Sequence, residues 1–175
     1  MESINKAHFF CYIQVVRSPK YDVAVSKEIP IMTNEWVTQV WERGKHDNIH
    51  ATNPTFTRYK CPALMGLTLT VSQMGKKDKE ILKKSIESHG GTYTGQLDME
   101  HTEILIISKP EGDKYKYAKK WKIPCISSDW VFDSIEKGYC LKTEGYRVDS
   151  ARGSTSTPTK VRTLKFRYKF LSLNE

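Results

Sequence analysis

The chain uses one stretch of sequence twice, and this internal repeat constrains the fold more than any other feature. Residues 20–44 and residues 114–138 align at a constant offset of 94 without a gap, and nine of the 25 aligned positions are identical. The shared residues include a tryptophan, a proline and a glycine. Repetition of this kind indicates two copies of one structural unit.

Each copy has the pattern of a helix, a short buried strand and a second helix. Residues 29–32 and 123–126 are short apolar runs with a proline near the start, as in a strand that begins there. In the helix that follows, apolar residues recur on one face and include Trp36 in the first copy and Trp130 in the second. A large aromatic residue on the apolar face of a helix is ordinarily buried, so we predict that both tryptophans belong to the core.

Glycines are predicted to end three of the helices. Gly44 and Gly138 follow the second helix of each copy at equivalent positions. The pair Gly90-Gly91 follows a further apolar helix in the second unit, and one of these glycines can take a positive φ. We therefore assign Gly90 and Gly91 a structural role.

Composition indicates one or two small domains without a metal or a membrane span. The 175 residues are 38% hydrophobic and 27% charged. Nothing resembles a membrane-spanning run or a signal peptide. The four cysteines form no CxxC motif and no cluster with histidine, so we predict reduced thiols in an intracellular protein.

The net charge of +8 is divided between the body and the end of the chain. Residues 149–175 contain six lysines and arginines against two acidic residues and so carry half of that charge. Residues 149–160 are small and polar, and we predict that 149–175 is a disordered basic tail. A body that is only mildly basic gives little support to nucleic-acid binding.

The rest of the chain divides into a linker and one complete unit. Residues 45–61 are polar and are predicted to be an irregular linker. Residues 62–148 have the order β-α-β-β-α-β-α, which implies an α/β fold with a parallel sheet covered on both faces.

The complete unit resembles a BRCT domain. The residues that carry the resemblance are Gly90-Gly91 after the first helix, the strand EILIIS at 103–108, Lys114 at the start of the second helix, the run IPCIS, and Trp130 in the third helix. The sequence of residues 90–140 is similar to the N-terminal BRCT repeats of the DNA topoisomerase II-binding protein family. This resemblance implies a four-stranded parallel sheet of order 2-1-3-4, with helices 1 and 3 on one face and helix 2 on the other.

The first copy is incomplete by the same comparison. The offset aligns Met1 with Gly95, so residues 1–44 are a partial BRCT-like repeat that lacks strand 1, helix 1 and strand 2. We expect the chain to be a fragment or a truncated product. The resemblance does not extend to residues 149–175.

The resemblance implies a phosphate-binding site. In the family, a hydroxyl at the end of strand 1, the backbone N–H of the next residue and a lysine at the start of helix 2 hold a phosphorylated side chain. These positions are Ser72, Gln73 and Lys114, and Lys79 in helix 1 corresponds to an additional basic contact. The family usually has glycine where this chain has Gln73. A phosphate favours charge-assisted hydrogen bonds and the N-terminus of a helix, which agrees with this assignment.

The function implied is that of a nuclear, non-catalytic adaptor. Its partners would be phosphoserine- or phosphothreonine-containing proteins of DNA replication initiation and of the DNA-damage and replication checkpoint, and it would need no cofactor. Two alternatives remain open: a DNA-binding BRCT module, favoured by the lysines and by the alternation of aromatic and basic residues in 164–170, and a module that binds unphosphorylated proteins. The chain has no phosphate-binding loop of a nucleotide enzyme and no metal-ligand spacing, so enzymatic activity is not predicted.

Overall fold

The computed structural model describes residues 16–148 and the backbone of residues 11–12; predictions for 1–10, 13–15 and 149–175 lie outside the described residues. The order of elements is β1 (Cys11–Tyr12), α1 (Pro19–Ser26), β2 (Ile31–Met32), α2 (Asn34–Gly44), a 3₁₀ helix (Pro54–Tyr59), β3 (Thr68–Ser72), α3 (Lys76–Ser88), β4 (Thr92–Thr94), β5 (Ile104–Ile107), α4 (Asp113–Lys120), β6 (Cys125–Ile126), α5 (Asp129–Lys137) and a second 3₁₀ helix (Glu144–Tyr146).

The second unit is a parallel four-stranded sheet of order β4-β3-β5-β6, which confirms the predicted order 2-1-3-4. Its central strands β3 and β5 are buried on both faces: all four residues of β5 are buried, as are the three inner residues of β3. One face packs against α3 and α5 through residues such as Leu82 and Trp130. The other face packs against α4 through Ala118. The predicted distribution of the helices is confirmed.

The repeat in sequence is also a repeat in backbone geometry. In the first copy Cys11 pairs with Ile31, and in the second copy Leu105 pairs with Cys125, which are the positions 94 residues further on. The helices α1 and α4 also begin and end at equivalent positions. Among its described residues, the first copy therefore has two strands and two helices in the arrangement of the second.

The two equivalent tryptophans differ in burial. Trp130 is fully buried, and its indole Nε1 donates to the carbonyl of Leu141 at 2.8 Å, as the prediction of a core residue requires. Trp36 is only half-buried, and no residue of α2 is buried. It lines an open groove of about 430 Å³ with its neighbour Trp41, whose exposed fraction is 68%. The core prediction is wrong for Trp36, because no element of the described first copy covers α2 as α3 covers α5.

The helix-ending glycines behave differently in the two copies. Gly138 has a φ of 75° and ends α5 in the left-handed conformation, as predicted. Gly44 is instead the last residue of α2, and the residue that follows it, Lys45, has ordinary right-handed geometry, so the prediction that Gly44 caps the helix is wrong. Gly90 has a φ of 81°, and a Cβ at Gly91 would lie 2.8 Å from Cγ2 of Ile86. Both glycines of this pair are required where the chain leaves α3.

The segment between the units is ordered. It contains the 3₁₀ helix with Phe56 buried at 1% exposure, and Lys60 forms an antiparallel bridge with Met32 of β2. The prediction of an irregular linker is therefore wrong for its second half. A buried aromatic residue within a polar stretch is what anchors this segment.

The two copies are in direct contact. Tyr21 of α1 is 2% exposed, and its hydroxyl accepts a hydrogen bond of 2.7 Å from the backbone N–H of Cys140 beyond α5. Val16, Ala24 and Cys61 belong to the same buried cluster as Trp130. The core of the second unit thus continues into the first copy.

Within residues 16–148, no helix is long and apolar enough to cross a membrane. The same residues contain no group of three or more His, Cys, Asp or Glu side chains arranged to hold a metal ion.

Candidate functional site

The candidate site lies at the carboxyl ends of the two central strands. From β3 the chain passes through α3 to β4 on one side of the sheet, whereas from β5 it passes through α4 to β6 on the other side. The loops after β3 and β5 therefore diverge at a topological switch point. In open parallel sheets, ligands bind in the crevice at this position.

Gln73 follows β3 and connects the two diverging loops. Its carbonyl accepts a hydrogen bond from the hydroxyl of Ser108, and its side-chain Nε2 donates to the carbonyl of Glu111 at 3.2 Å. Its φ is 54°, in the left-handed region that glycine adopts without strain. A glutamine is strained in this conformation, and the hydrogen bonds of its carbonyl and its side chain hold it there.

Lys114 lies in the first turn of α4 and points back to the end of β3. It is half-buried, and its ammonium donates to the carbonyl of Gly95 at 2.7 Å, to Oγ1 of Thr70 at 3.3 Å and to the carbonyl of Val71 at 3.5 Å. These partners are all neutral. The adjacent carboxylate of Asp113 instead approaches Lys116 at 3.5 Å.

The charge of Lys114 is consequently uncompensated within residues 16–148. Burial lowers the pKa of Lys114 below the usual value, and the positive charge of Lys79 on α3 lowers it further. Two cationic side chains thus act on one another at the end of β3. An anion bound there would relieve this repulsion and raise the pKa of Lys114.

The N-terminus of α3 adds to the positive potential. Its N-cap is Gly75, which has no side chain to satisfy the first N–H groups. Three lysines lie within the first four residues, at 76, 77 and 79, with Asp78 as the one acidic residue of that turn. Cations at a helix N-terminus oppose the helix dipole and lower stability. These lysines therefore add to the positive potential of the helix N-terminus.

The fold brings the four predicted site residues to one edge of the sheet. Ser72 ends β3 and is half-buried, and its hydroxyl has no hydrogen-bond partner among residues 16–148. Gln73 follows directly, Lys114 contacts the two residues before Ser72, and Lys79 is near enough to act on Lys114 electrostatically. The carboxyl end of β3 thus carries a hydroxyl and a backbone N–H, with the ammonium of Lys114 close by and that of Lys79 within electrostatic range.

Sequence reasoning did not identify the groups that hold this arrangement in place. Thr70 is fully buried although it is polar, and it orients Lys114. Ser108 and Glu111 hold Gln73, and the carbonyl of Gly95 holds Lys114. The role of Thr70 could have been suspected from the sequence, because a threonine at an inner position of a central strand is unusual. Contacts of backbone carbonyls cannot be predicted from residue types.

Comparison with known protein families and sequences gives a consistent result. Residues 67–130 match the family model described as twin BRCT domain. The S-M checkpoint control protein rad4 of Schizosaccharomyces pombe is 26% identical over 134 residues, which is 75% of this chain and 20% of that protein. PAX-interacting protein 1 of Danio rerio is 30% identical over 132 residues, which is 73% of this chain and 14% of that protein. The chain spans about a fifth or less of the length of these relatives.

Solved structures share the fold over most of the chain. The crystal structure of Rad4 BRCT1,2 in complex with an Mdb1 phosphopeptide has a TM-score of 0.74 and 24% identity, and it covers 85% of this chain and 82% of its own. The corresponding complex with a Crb2 phosphopeptide has a TM-score of 0.71 and 23% identity, with coverage of 84% and 81%. The parallel sheet of order β4-β3-β5-β6, its three helices and the match of residues 67–130 to the twin BRCT family together identify the second unit as a BRCT domain.

Proposed function

We propose that the second unit is a phosphopeptide-binding module and that the chain acts as a non-catalytic adaptor. Phosphoserine or phosphothreonine would insert at the end of β3. The hydroxyl of Ser72 and the N–H of Gln73 would donate to the phosphate oxygens, while Lys114 and Lys79 would neutralise them. The chemistry is charge-assisted hydrogen bonding in a fixed geometry, with no covalent step.

One observation carries this proposal. Lys114 is half-buried at a switch point without a carboxylate partner, beside the unpartnered hydroxyl of Ser72. A half-buried ammonium held only by neutral oxygens is stabilised by an incoming anion, because burial penalises its charge. A dianionic phosphate group fits this environment better than a carboxylate does.

The relatives support a role in checkpoint signalling. The Rad4 BRCT1,2 structures contain phosphopeptides of Crb2 and Mdb1, and the similar relative from fission yeast is named as a checkpoint control protein. We propose the corresponding role for this chain, with phosphorylated proteins of the DNA-damage and replication checkpoint and of replication initiation as partners. Such a role implies the nucleus as the location.

DNA binding is the second candidate. The lysines of α3 are the observation that favours it, since a duplex is bound mainly through its phosphates. Against it, Lys114 is partly sequestered between the ends of β3 and β4, where it could reach only one small anionic group. The affinity for DNA would fall steeply as the salt concentration rises, whereas the affinity for a peptide with a single phosphate would fall moderately.

The test is fluorescence anisotropy with two degenerate peptide libraries, one with a fixed phosphothreonine and one with threonine at that position. Wild-type protein is expected to prefer the phosphorylated library. Lys114→Ala removes a charge-assisted interaction of about 1.5–3 kcal/mol and should weaken binding roughly ten- to a hundredfold. Lys20→Ala is the matched control, because Lys20 is the repeat equivalent of Lys114 and is exposed. Equal binding of both libraries by the wild type would refute the proposal.

A further inference from the structure

A row of lysines leads away from the candidate site along one face of α3. Lys76, Lys79 and Lys83 are spaced three and four residues apart, which places them on the same face of the helix. Within residues 16–148, none of the three lies at ion-pair distance from a carboxylate, although α3 itself contains Asp78, Glu80 and Glu87. These three lysines are therefore cationic side chains without an ion-pair partner in this part of the chain.

The end of the row is supported by an aromatic residue. The ammonium of Lys83 lies 5.9 Å from the ring centre of Tyr93 on the edge strand β4. This cation–π geometry holds the exposed lysine toward the sheet. The carboxyl end of the same strand leads to Gly95, whose carbonyl binds Lys114. Lys83 and Lys114 thus lie at the two ends of a surface path that follows the edge strand β4.

The spacing along this path matches an extended peptide. Lys83 is one helical turn beyond Lys79, a separation of about 5–6 Å. Two residues of extended chain span about 6.6 Å. A side chain two residues from the phosphorylated one would therefore lie near Lys83 when the phosphate is at Lys79 and Lys114.

We propose that this lysine row selects an acidic residue two positions from the phosphorylated residue, so that the preferred partner is an acidic phosphopeptide. This inference rests on the proposed function of the Ser72 site. The row extends that site by one contact, with Lys83 as the residue that determines the specificity. A long polyanion such as a duplex is less well matched, because the acidic residues of α3 lie beside the lysines.

The experiment compares four synthetic peptides of otherwise neutral sequence: phosphothreonine alone, phosphothreonine with glutamate two residues before it, phosphothreonine with glutamate two residues after it, and unphosphorylated threonine with both glutamates. One of the two acidic phosphopeptides is expected to bind about three- to tenfold more tightly than the neutral phosphopeptide. The unphosphorylated acidic peptide is expected to bind no better than background.

Two variants test whether the higher affinity for the acidic phosphopeptide depends on Lys83. Lys83→Gln should abolish the advantage of the acidic phosphopeptide and leave the affinity for the neutral phosphopeptide within about twofold. Lys84→Gln is the matched control, since Lys84 is an exposed neighbour outside the row, and it should preserve the advantage. Melting curves of both variants confirm that the fold is intact.

The possible failures are distinguishable. If the neutral phosphopeptide binds no better than its unphosphorylated form, the phosphate site itself is refuted. If phosphorylation matters but neither glutamate adds affinity, or if Lys83→Gln and Lys84→Gln have the same effect, the lysine row is refuted alone. A fluorescent DNA duplex that binds more tightly than every peptide and loses affinity in Lys83→Gln would assign the row to nucleic acid and overturn the inference.

Discussion

Replacement of Tyr21 by phenylalanine removes one oxygen atom from the contact between the two copies. The hydroxyl of Tyr21 accepts a hydrogen bond of 2.7 Å from the N–H of Cys140. Both residues are buried, at 2% and 7% exposure, so water cannot readily replace the lost acceptor. Burial also raises the pKa of the Tyr21 hydroxyl far above its ordinary value, which keeps the group neutral.

The expected cost follows from the donor that is left behind. A buried N–H without an acceptor costs about 1–3 kcal/mol, whereas the ring and its packing are retained in phenylalanine. We therefore expect Tyr21→Phe to lower the free energy of unfolding by about 1–3 kcal/mol. This would be a large effect for one atom in a chain with marginal stability.

Urea unfolding followed by tryptophan fluorescence measures this change. The matched control is Tyr115→Phe, because Tyr115 is the repeat equivalent of Tyr21 and is only half-buried. We expect the control to change the free energy by less than about 0.5 kcal/mol, as is usual for positions without a buried partner. Equal effects of the two substitutions would refute the conclusion that the copies share one core through Tyr21.

Three further predictions concern the core, the pH dependence and the loop after β3. Trp130→Ala should destabilise the protein by about 3–5 kcal/mol and Trp36→Ala by clearly less, which thermal unfolding would measure; similar losses would contradict the difference in burial. Burial raises the pKa of Cys61 to about 11 and of Cys140 to about 12 from 9.0. The free energy of unfolding should have its full value below about pH 9 and fall as the pH rises toward 11 and 12, by up to about 1.4 kcal/mol per pH unit for each thiol. A free energy of unfolding, measured in urea, that does not change from pH 9 to 11 would contradict this. Gln73→Gly should change stability by less than about 1 kcal/mol, whereas Gln73→Val should cost about 1–2 kcal/mol because a β-branched residue must adopt a φ of 54°; equal stability of the two variants would argue against that backbone conformation.

Most of the second unit could be predicted from its sequence. The strand-like alternation of β3, the wholly apolar β5 and the glycine pair after α3 all correspond to the observed elements. These signals are local, since the apolar period and the demands of turns act within a few residues. The offset of 94 added the nonlocal information that α1 and α4 are equivalent.

The first copy was predicted less well for a physical reason. Equal sequence patterns gave equal backbones, but burial depends on what packs against them. Trp36 and Trp130 occupy equivalent helix positions, yet Trp130 is fully buried and Trp36 only half-buried. Phe56 is buried within a segment whose composition is that of a loop. Such tertiary contacts are not encoded by a period or by a motif.

The candidate site was likewise predictable only in part. Its four residues could be assigned by resemblance, and the fold brings them together at the end of β3. The supporting contacts could not be assigned, because two of them use the carbonyls of Gly95 and Glu111. Carbonyl groups are common to all residues, so only the three-dimensional arrangement identifies those that orient Lys114 and Gln73.

The central claim is that phosphate binds at the end of β3, and amide chemical shifts test it most directly. The ¹⁵N-labelled chain is titrated with the degenerate phosphothreonine library and, separately, with the threonine library. We expect the amides of Gln73 and of the first turn of α3 to shift with the phosphorylated library and to remain unchanged with the other. Equal shifts with both libraries, or shifts confined to α2 and its exposed groove while Gln73 is unchanged, would contradict the claim.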